Sequence, residues 1–274
     1  LAGYFLACVR ALSLKYECEV HIVRWPVNKE APFDFDFPAS VKTYHRKDHS
    51  AESLISLVDS IAPDVIYCSG WIDKDYVEVC KRFKGKIPIV LGLDNKWEGS
   101  LKQYLAAAAS PFSFLKNFSH CWIPGKPQLK FAQKLGFKNE NILQGFYSAD
   151  VDLFHSRFIA NSESKKALFP KRFIFAARYY EFKGIKDLWK AFVELQQEQP
   201  NEWELWCIGT GDIAPIQHPK IKHFGFVQPA ALGELIRDTG VFILPSHAEP
   251  WGVALHEYAA AGFPLLCSDK VGAA

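Results

Sequence analysis

Two carboxylates, Glu249 and Glu257, stand with seven residues between them in the run Glu249-Pro-Trp-Gly-Val-Ala-Leu-His-Glu257. An apolar stretch at 241–244 precedes them, followed by the turn pair Pro245-Ser246. The spacing predicts a strand, a loop, and a helix that begins near Gly252. Such a helix directs its first free N–H groups toward the strand end, where an anion can sit. Gly252 would let the backbone at Val253 come close to a ligand. Glu249, in the loop, could accept hydrogen bonds from sugar hydroxyls. Glu257 lies about one and a half turns into the helix with its side chain leaning back toward the start. A plain helix start with two acids at the favourable dipole end accounts for the same spacing.

A second cluster adds the opposite charge. Arg178 and Lys183 follow the apolar run at 173–177 and precede Gly184. Two cations at one strand end can hold a pyrophosphate, the guanidinium as a planar fork and the ammonium as a point charge. Two solvated surface cations are the alternative. Gly209-Thr210-Gly211 follows a third apolar run, at 204–208. It suits a backbone turn beside a ligand, or simply a tight turn, and it lacks the spacing of a dinucleotide fingerprint.

These side chains need strand ends to stand on. Strands are expected at 173–177, 204–208, 223–226, 241–244 and 264–268, alternating with helices at 184–196, 229–237 and 252–261. An earlier series has strands at 19–25, 65–68, 88–93 and 121–123 and helices at 3–16, 50–61, 74–83, 101–115 (interrupted at Pro111) and 128–135. Short apolar strands alternating with helices indicate α/β parallel sheets covered on both faces. Ligands in such sheets bind at the C-terminal ends of strands. Residues 150–170 are polar and lack an apolar period, so they read as a connection. The expected division is therefore an N-terminal Rossmann-like domain at 1–155, a linker at 156–170 and a second Rossmann-like domain at 171–274.

The chain has 274 residues, a net charge of +2 and 49% hydrophobic residues. That composition excludes disorder and a nucleic-acid module resting on bulk positive charge. Seven cysteines without a C-x-x-C pair read as free thiols in a reducing compartment rather than as disulfides or a zinc site. No apolar run reaches the ~18 residues of a membrane span. The opening run lacks the charged start and cleavage site of a signal peptide. No Met occurs, even at position 1, so the sequence reads as a piece of a longer chain or as one from which selenomethionines have dropped out.

His247 lies beside the Glu249 loop, Trp251 could pack beneath it, and the remaining histidines form no ligand cluster. Asp34-Phe-Asp36 has the spelling of a D-x-D metal motif but falls in a polar-aromatic loop and reads as chance. The basic set Lys81, Arg82, Lys84 and Lys86 could touch an anionic membrane surface; a solvated helix end is the plainer reading.

Taken in order, Arg178…Lys183-Gly184, Gly209-Thr210-Gly211, Gly225-Phe226-Val227 and Pro245-Ser246…Glu249…Glu257…Gly262-x-Pro264 resemble the C-terminal domain of glycosyltransferase family 4, from residue 173 onward. More weakly, Ile123-Pro124-Gly125…Gln128, Leu135-Gly136 and Tyr147-Ser-Ala-Asp150 are similar to the end of the acceptor domain in bacterial members that build surface polysaccharides. The resemblance implies a GT-B fold, two domains with parallel sheets facing across a cleft. Part of each domain, the opening strand of the first and the closing elements of the second, would lie outside this sequence. It implies retaining, metal-independent transfer of a sugar from a nucleotide-diphosphate sugar to a hydroxyl acceptor, carbohydrate or lipid-linked. The site would be cytoplasmic, at the inner face of the membrane for a lipid-linked acceptor.

The resemblance also implies roles. Arg178 and Lys183 would stabilise the diphosphate leaving group, Glu249 would bind the transferred sugar and Glu257 the ribose. Main-chain groups at Gly252 and Val253 would hold sugar and phosphate oxygens. The main chain at Phe226 would meet the base, and Gly209 and Gly211 would border the donor. Gly3 would be what remains of a glycine-rich loop. Many members place a histidine after the strand at 88–93, where this sequence has Asp94. Asp94 could orient a hydroxyl or cap the following turn. Two other activities fit the same residues, a sugar-nucleotide epimerase and a non-catalytic nucleotide-sugar-binding subunit.

Overall fold

The computed structural model describes residues 2–113, 115–145 and 147–274. The first part of the chain runs α1 (Gly3–Tyr16), β1 (Val20–Arg24), β2 (Val41–His45), α2 (Ala51–Ile61), β3 (Ile66–Cys68), α3 (Lys74–Phe83), β4 (Ile89–Gly92), α4 (Leu101–Ala109), β5 (His120–Ile123), α5 (Lys126–Lys134) and β6 (Ile142–Gln144). It continues with α6 (Val151–Ala167), β7 (Arg172–Ala176), α7 (Ile185–Glu198), β8 (Glu204–Ile208), β9 (Ile221–His223), α8 (Gly233–Asp238), β10 (Val241–Leu244), α9 (Val253–Ala260) and β11 (Leu265–Cys267). These elements gather into two compact units that are not contiguous in sequence. One holds residues 21–26 and 43–147, the other 1–20, 27–42 and 148–274.

The first unit is built on a parallel sheet in the order β3-β4-β5-β6. Ile89 and Leu91 of β4 and Leu93 just past it are all buried and line one covered face of this sheet. Leu54 of α2, Val79 and Phe83 of α3, and Phe131 of α5 cover it. Ser50 caps α2 by accepting from the Ser53 N–H at 3.3 Å, and Asp73 caps α3. The helix expected at 101–115 stops at Ala109 and gives way to a 3-10 turn containing Pro111; Phe114 lies outside the described residues. Strands β1 and β2 form a separate two-stranded sheet.

The second unit has a five-stranded parallel sheet in the order β11-β10-β7-β8-β9. Chain order runs outward from β7 through β8 to β9, then returns to the other side of β7 with β10. The strand order therefore reverses between β7 and β10, and at such a switch point the loops leaving the two strands diverge and open a crevice. Ile174, Phe175, Leu205, Phe242 and Leu244 form the buried middle of the sheet, with Ile185, Trp189, Leu255 and Tyr258 packed on it from the helices.

The linker expected at 156–170 is instead helical, since α6 runs from Val151 to Ala167. Asp150 caps it by accepting from the Leu153 N–H at 3.2 Å. Phe154 is buried against Tyr258, and the Arg157 guanidinium donates to the Ala230 carbonyl at 2.9 Å. Tertiary packing of Leu153, Phe154 and Phe158 holds a helix whose own sequence is largely polar. The seven cysteines are free, and burial pushes the Cys121 and Cys207 thiols up to about 12. Among the described residues no helix is long and apolar enough to cross a membrane.

Candidate active site

The chemistry-bearing loops of the second unit leave its sheet at the switch point. After β7 the chain passes Arg178, the buried Tyr179 and Tyr180, then makes a 3-10 turn over Glu181–Lys183. Gly184 follows with φ +69°, and a Cβ there would lie 2.1 Å from the Pro245 carbonyl oxygen. Only glycine allows this loop to lie against the loop after β10. The two loops are also tied by the His247 and Ala248 N–H groups, which donate to the Phe182 carbonyl at 2.9 and 3.2 Å.

That packing brings Lys183 and Glu249 together as an ion pair, with only 13% and 12% of their side chains exposed. Glu249 is fixed from behind by a parallel bridge to Val271, and its carbonyl accepts from the Gly272 N–H at 3.1 Å. Arg178 has no acidic partner among the described residues. Its guanidinium is exposed and lies over the Tyr180 ring, 4.8 Å from the centroid. Among the described residues the loop after β7 thus offers a cation without an acidic partner, Arg178, and one held by a carboxylate, Lys183.

The loop after β8 packs against the main chain on either side of Arg178. A Cβ on Gly209 would lie 2.0 Å from the Ala177 carbonyl oxygen, and one on Gly211 2.6 Å from that of Tyr179. The Gly209 N–H donates to Gly225 at 2.7 Å, so it is committed to the fold and cannot serve a ligand. The two glycines act by letting this loop pack beside Arg178. Phe226 is half-buried after β9. Gly3 stands at the start of α1, where a Cβ would come 3.3 Å from Pro229.

Helix α9 starts as expected. Gly252 is its N-cap with φ +95°, a conformation that L side chains rarely adopt, and no side chain caps the helix. The first intrahelical donor is Leu255, bonded to the Gly252 carbonyl at 2.9 Å. The amides of Val253 and Ala254 have no protein acceptor among the described residues. Glu257 is half-buried, and its carboxyl has no hydrogen-bond partner among the described residues. Burial, with the charge of Asp150 adding to it, pushes that carboxyl up to about 7. Ser246 Oγ, Trp251 Nε1 and Tyr258 OH are buried nearby in sequence with no hydrogen-bond partner among the described residues.

Asp94 belongs to the other unit, after β4. Its carboxylate accepts from Tyr147 OH at 3.2 Å and its carbonyl from Gln128 at 3.1 Å. It is thus held by two side chains rather than capping a turn. Part of the basic set is neutralised, with Lys81 3.3 Å from Glu78 and Arg82 3.9 Å from Asp59. His247 pairs with Asp187 at 2.7 Å on the surface, and His223 bonds Tyr179 OH at 3.0 Å as part of the packing. Asp34 and Asp36 are exposed, and among the described residues no three His, Cys, Asp or Glu side chains gather as a metal site.

Sequence reasoning missed Tyr180, the platform for Arg178, and the influence of Asp150 on Glu257. The Tyr179-Tyr180 pair beside two cations was the available signal for the first. The second depends on α6 lying against α9.

The family model described as Glycosyl transferases group 1 matches residues 170–274. No curated protein matches the chain. Among solved structures, Anabaena Alr3699/HepE in complex with UDP-glucose is similar at 15% identity and TM-score 0.66, covering 100% of this chain and 79% of that one. Sucrose-phosphate synthase from Thermosynechococcus elongatus is similar at 14% identity and TM-score 0.69, with 97% and 75% covered. The α,α-trehalose-phosphate synthase (UDP-forming) from Burkholderia vietnamiensis is similar at 11% identity and TM-score 0.69, with 99% and 80% covered. With its two parallel sheets and these neighbours, the chain has the α/β GT-B fold of nucleotide-sugar glycosyltransferases.

Proposed function

We propose that the protein is a retaining glycosyltransferase that moves a sugar from a nucleotide-diphosphate sugar to a hydroxyl of a carbohydrate or lipid-linked acceptor. The observation that carries this reading is the arrangement at the switch point. Lys183 on the loop after β7 pairs with Glu249 on the loop after β10, Arg178 precedes Lys183 on the first loop without an acidic partner among the described residues, and α9 opens its first amides after the second loop. The match of residues 170–274 to a glycosyltransferase model and the UDP-glucose bound by the Anabaena neighbour support it.

In this reading the diphosphate binds against Arg178 and the N-terminus of α9, which together supply positive charge where the leaving group gains its negative charge. Lys183 is held by Glu249 until the donor arrives. The carboxylate then accepts from hydroxyls of the transferred sugar, while the ammonium turns to the phosphate. Glu257, whose carboxyl has no hydrogen-bond partner among the described residues, accepts from the ribose hydroxyls. The bond from the anomeric carbon to the diphosphate oxygen breaks, and a bond to the acceptor oxygen forms as that hydroxyl passes its proton to the departing diphosphate. No metal or resident cofactor is invoked, because two cations and a helix end can carry the charge. Asp94 would act on the acceptor side.

The test is incubation with UDP-, GDP- and ADP-sugars and candidate acceptors, reading free nucleoside diphosphate. Stoichiometric release with a glycosylated product of unchanged anomeric configuration supports the proposal. Sugar isomerisation without diphosphate release would identify an epimerase instead, and nucleotide binding without turnover a binding subunit. Loss of activity in EDTA would overturn the metal-free charge balance.

A further inference from the structure

The polar-aromatic segment at 28–37 finds no role in the fold of the sheet it follows, yet it lies within the second unit. Its side chains alternate, with Phe33, Phe35 and Phe37 half-buried and Asp34 and Asp36 exposed. Arg10 of α1 donates to the Asp36 carbonyl, and further attachments fall on three successive loops at the C-terminal ends of β7, β8 and β9. Tyr180 OH donates to the Glu30 carboxylate. Thr210 Oγ1 donates to the Glu30 carbonyl at 2.7 Å, and the Gln228 amide donates to the Pro32 carbonyl at 2.9 Å. The Phe33 ring meets the Phe226 ring edge-on, with centroids 5.0 Å apart and planes at 88°.

Every one of the bonds from these loops takes a side-chain donor. None uses a main-chain amide of Thr210, Gly211, Phe226 or Val227, the groups that could read a ligand's polar edge. A segment that blocked the site by imitating a ligand would be expected to consume those amides. This one grips the outer side chains and leaves them available.

We propose that the segment 28–37 is the base-side wall of the donor site and that Phe33 is its specificity-determining residue, offering an aromatic face to the nucleoside of a nucleotide diphosphate. The inference rests on the donor-site reading given above. It separates two parts of one ligand, because the wall acts on the nucleoside and leaves the diphosphate to Arg178 and α9. Aromatic stacking on a base is worth about 1–3 kcal/mol, so its removal weakens binding about tenfold.

The test is calorimetric titration of the whole protein with UDP, GDP, ADP and inorganic pyrophosphate, repeated for Phe33→Ala and Gln228→Ala. The expected result is about tenfold weaker binding of the preferred nucleotide to Phe33→Ala, with pyrophosphate affinity unchanged. Gln228→Ala, which removes one hydrogen bond, changes binding in the same direction and carries the test should Phe33→Ala fail to fold. Unchanged nucleotide binding in the variants, equal loss for nucleotide and pyrophosphate, or tighter nucleotide binding would each overturn the wall. A wild-type protein that binds none of the three nucleotides overturns the donor site itself, an outcome distinct from the other three.

Discussion

The Lys183 ammonium rests on the Glu249 carboxylate with 13% and 12% of the two side chains exposed, although the residues come from loops on either side of the switch point. Both charges have left most of their water, and each is the other's main compensation. A pair of this kind adds little net stability, but removing one member strands the other.

Lys183→Met should therefore lower the unfolding free energy by about 3 kcal/mol, and Glu249→Gln by a similar amount. The double variant Lys183→Met/Glu249→Gln should recover most of the loss, since neither charge is then stranded. Denaturant unfolding of the three variants reads this coupling directly. All three should stay without transferase activity. Additive destabilisation in the double variant would mean that the two side chains are not energetically coupled.

Arg178→Ala should behave in the opposite way. The side chain is exposed, lies over the Tyr180 ring, and has no acidic partner among the described residues. Its unfolding midpoint should stay close to that of the wild type. Turnover should fall by about 100- to 1,000-fold, the range seen when one preorganised donor to a developing negative charge is lost. Wild-type turnover in this variant would remove Arg178 from the leaving-group site.

Glu257 gives the site a pH signature. Its carboxyl is pushed up to about 7 by burial, above the ordinary value near 4.5. Because the native state disfavours the charged form, its contribution to stability is fully present below the unfolded value. It is lost as pH rises through 4.5 toward 7. Glu257→Gln should abolish this slope. The difference in stability between wild type and variant should change by at most about 3 kcal/mol across that window, with part of the effect screened by solvent. A difference that stays flat over the window would show that Glu257 titrates as an ordinary carboxylate.

The strands that carry the site were legible because they are short apolar runs buried on both faces. Expected at 173–177, 204–208 and 241–244, they stand at Arg172–Ala176, Glu204–Ile208 and Val241–Leu244. Strands β2 and β6 escaped notice for the opposite reason. Only Val41 is buried in β2, and β6 is an exposed edge strand. Helix α6 was read as a linker because its sequence is largely polar, and the contacts that hold it, from Phe154, Arg157 and Phe158 to neighbouring elements, are set by tertiary packing. At the site, the identities of Arg178, Lys183, Glu249 and Glu257 followed from their places after strands or inside a helix. Their partners did not. The Lys183–Glu249 pair and the Tyr180–Glu30 bond depend on which loops the sheet order brings side by side, and no local pattern encodes that.

Gly184 tests whether this loop packing is what builds the site. Its φ of +69° is unfavourable for an alanine, at a cost of about 1–2 kcal/mol. The Cβ would also stand 2.1 Å from a backbone oxygen of Pro245, which no side-chain rotation can relieve. Gly85 is the matched control, with φ +73° and nothing within 4 Å of a Cβ. Gly85→Ala should show the conformational cost alone and keep full activity. Gly184→Ala should unfold at a lower denaturant concentration than Gly85→Ala. It should also bind nucleoside diphosphate more weakly, because the loop must withdraw and take Lys183 away from Glu249. Equal stability of the two variants, with nucleotide affinity intact, would show that the β7 and β10 loops need not touch for the site to work.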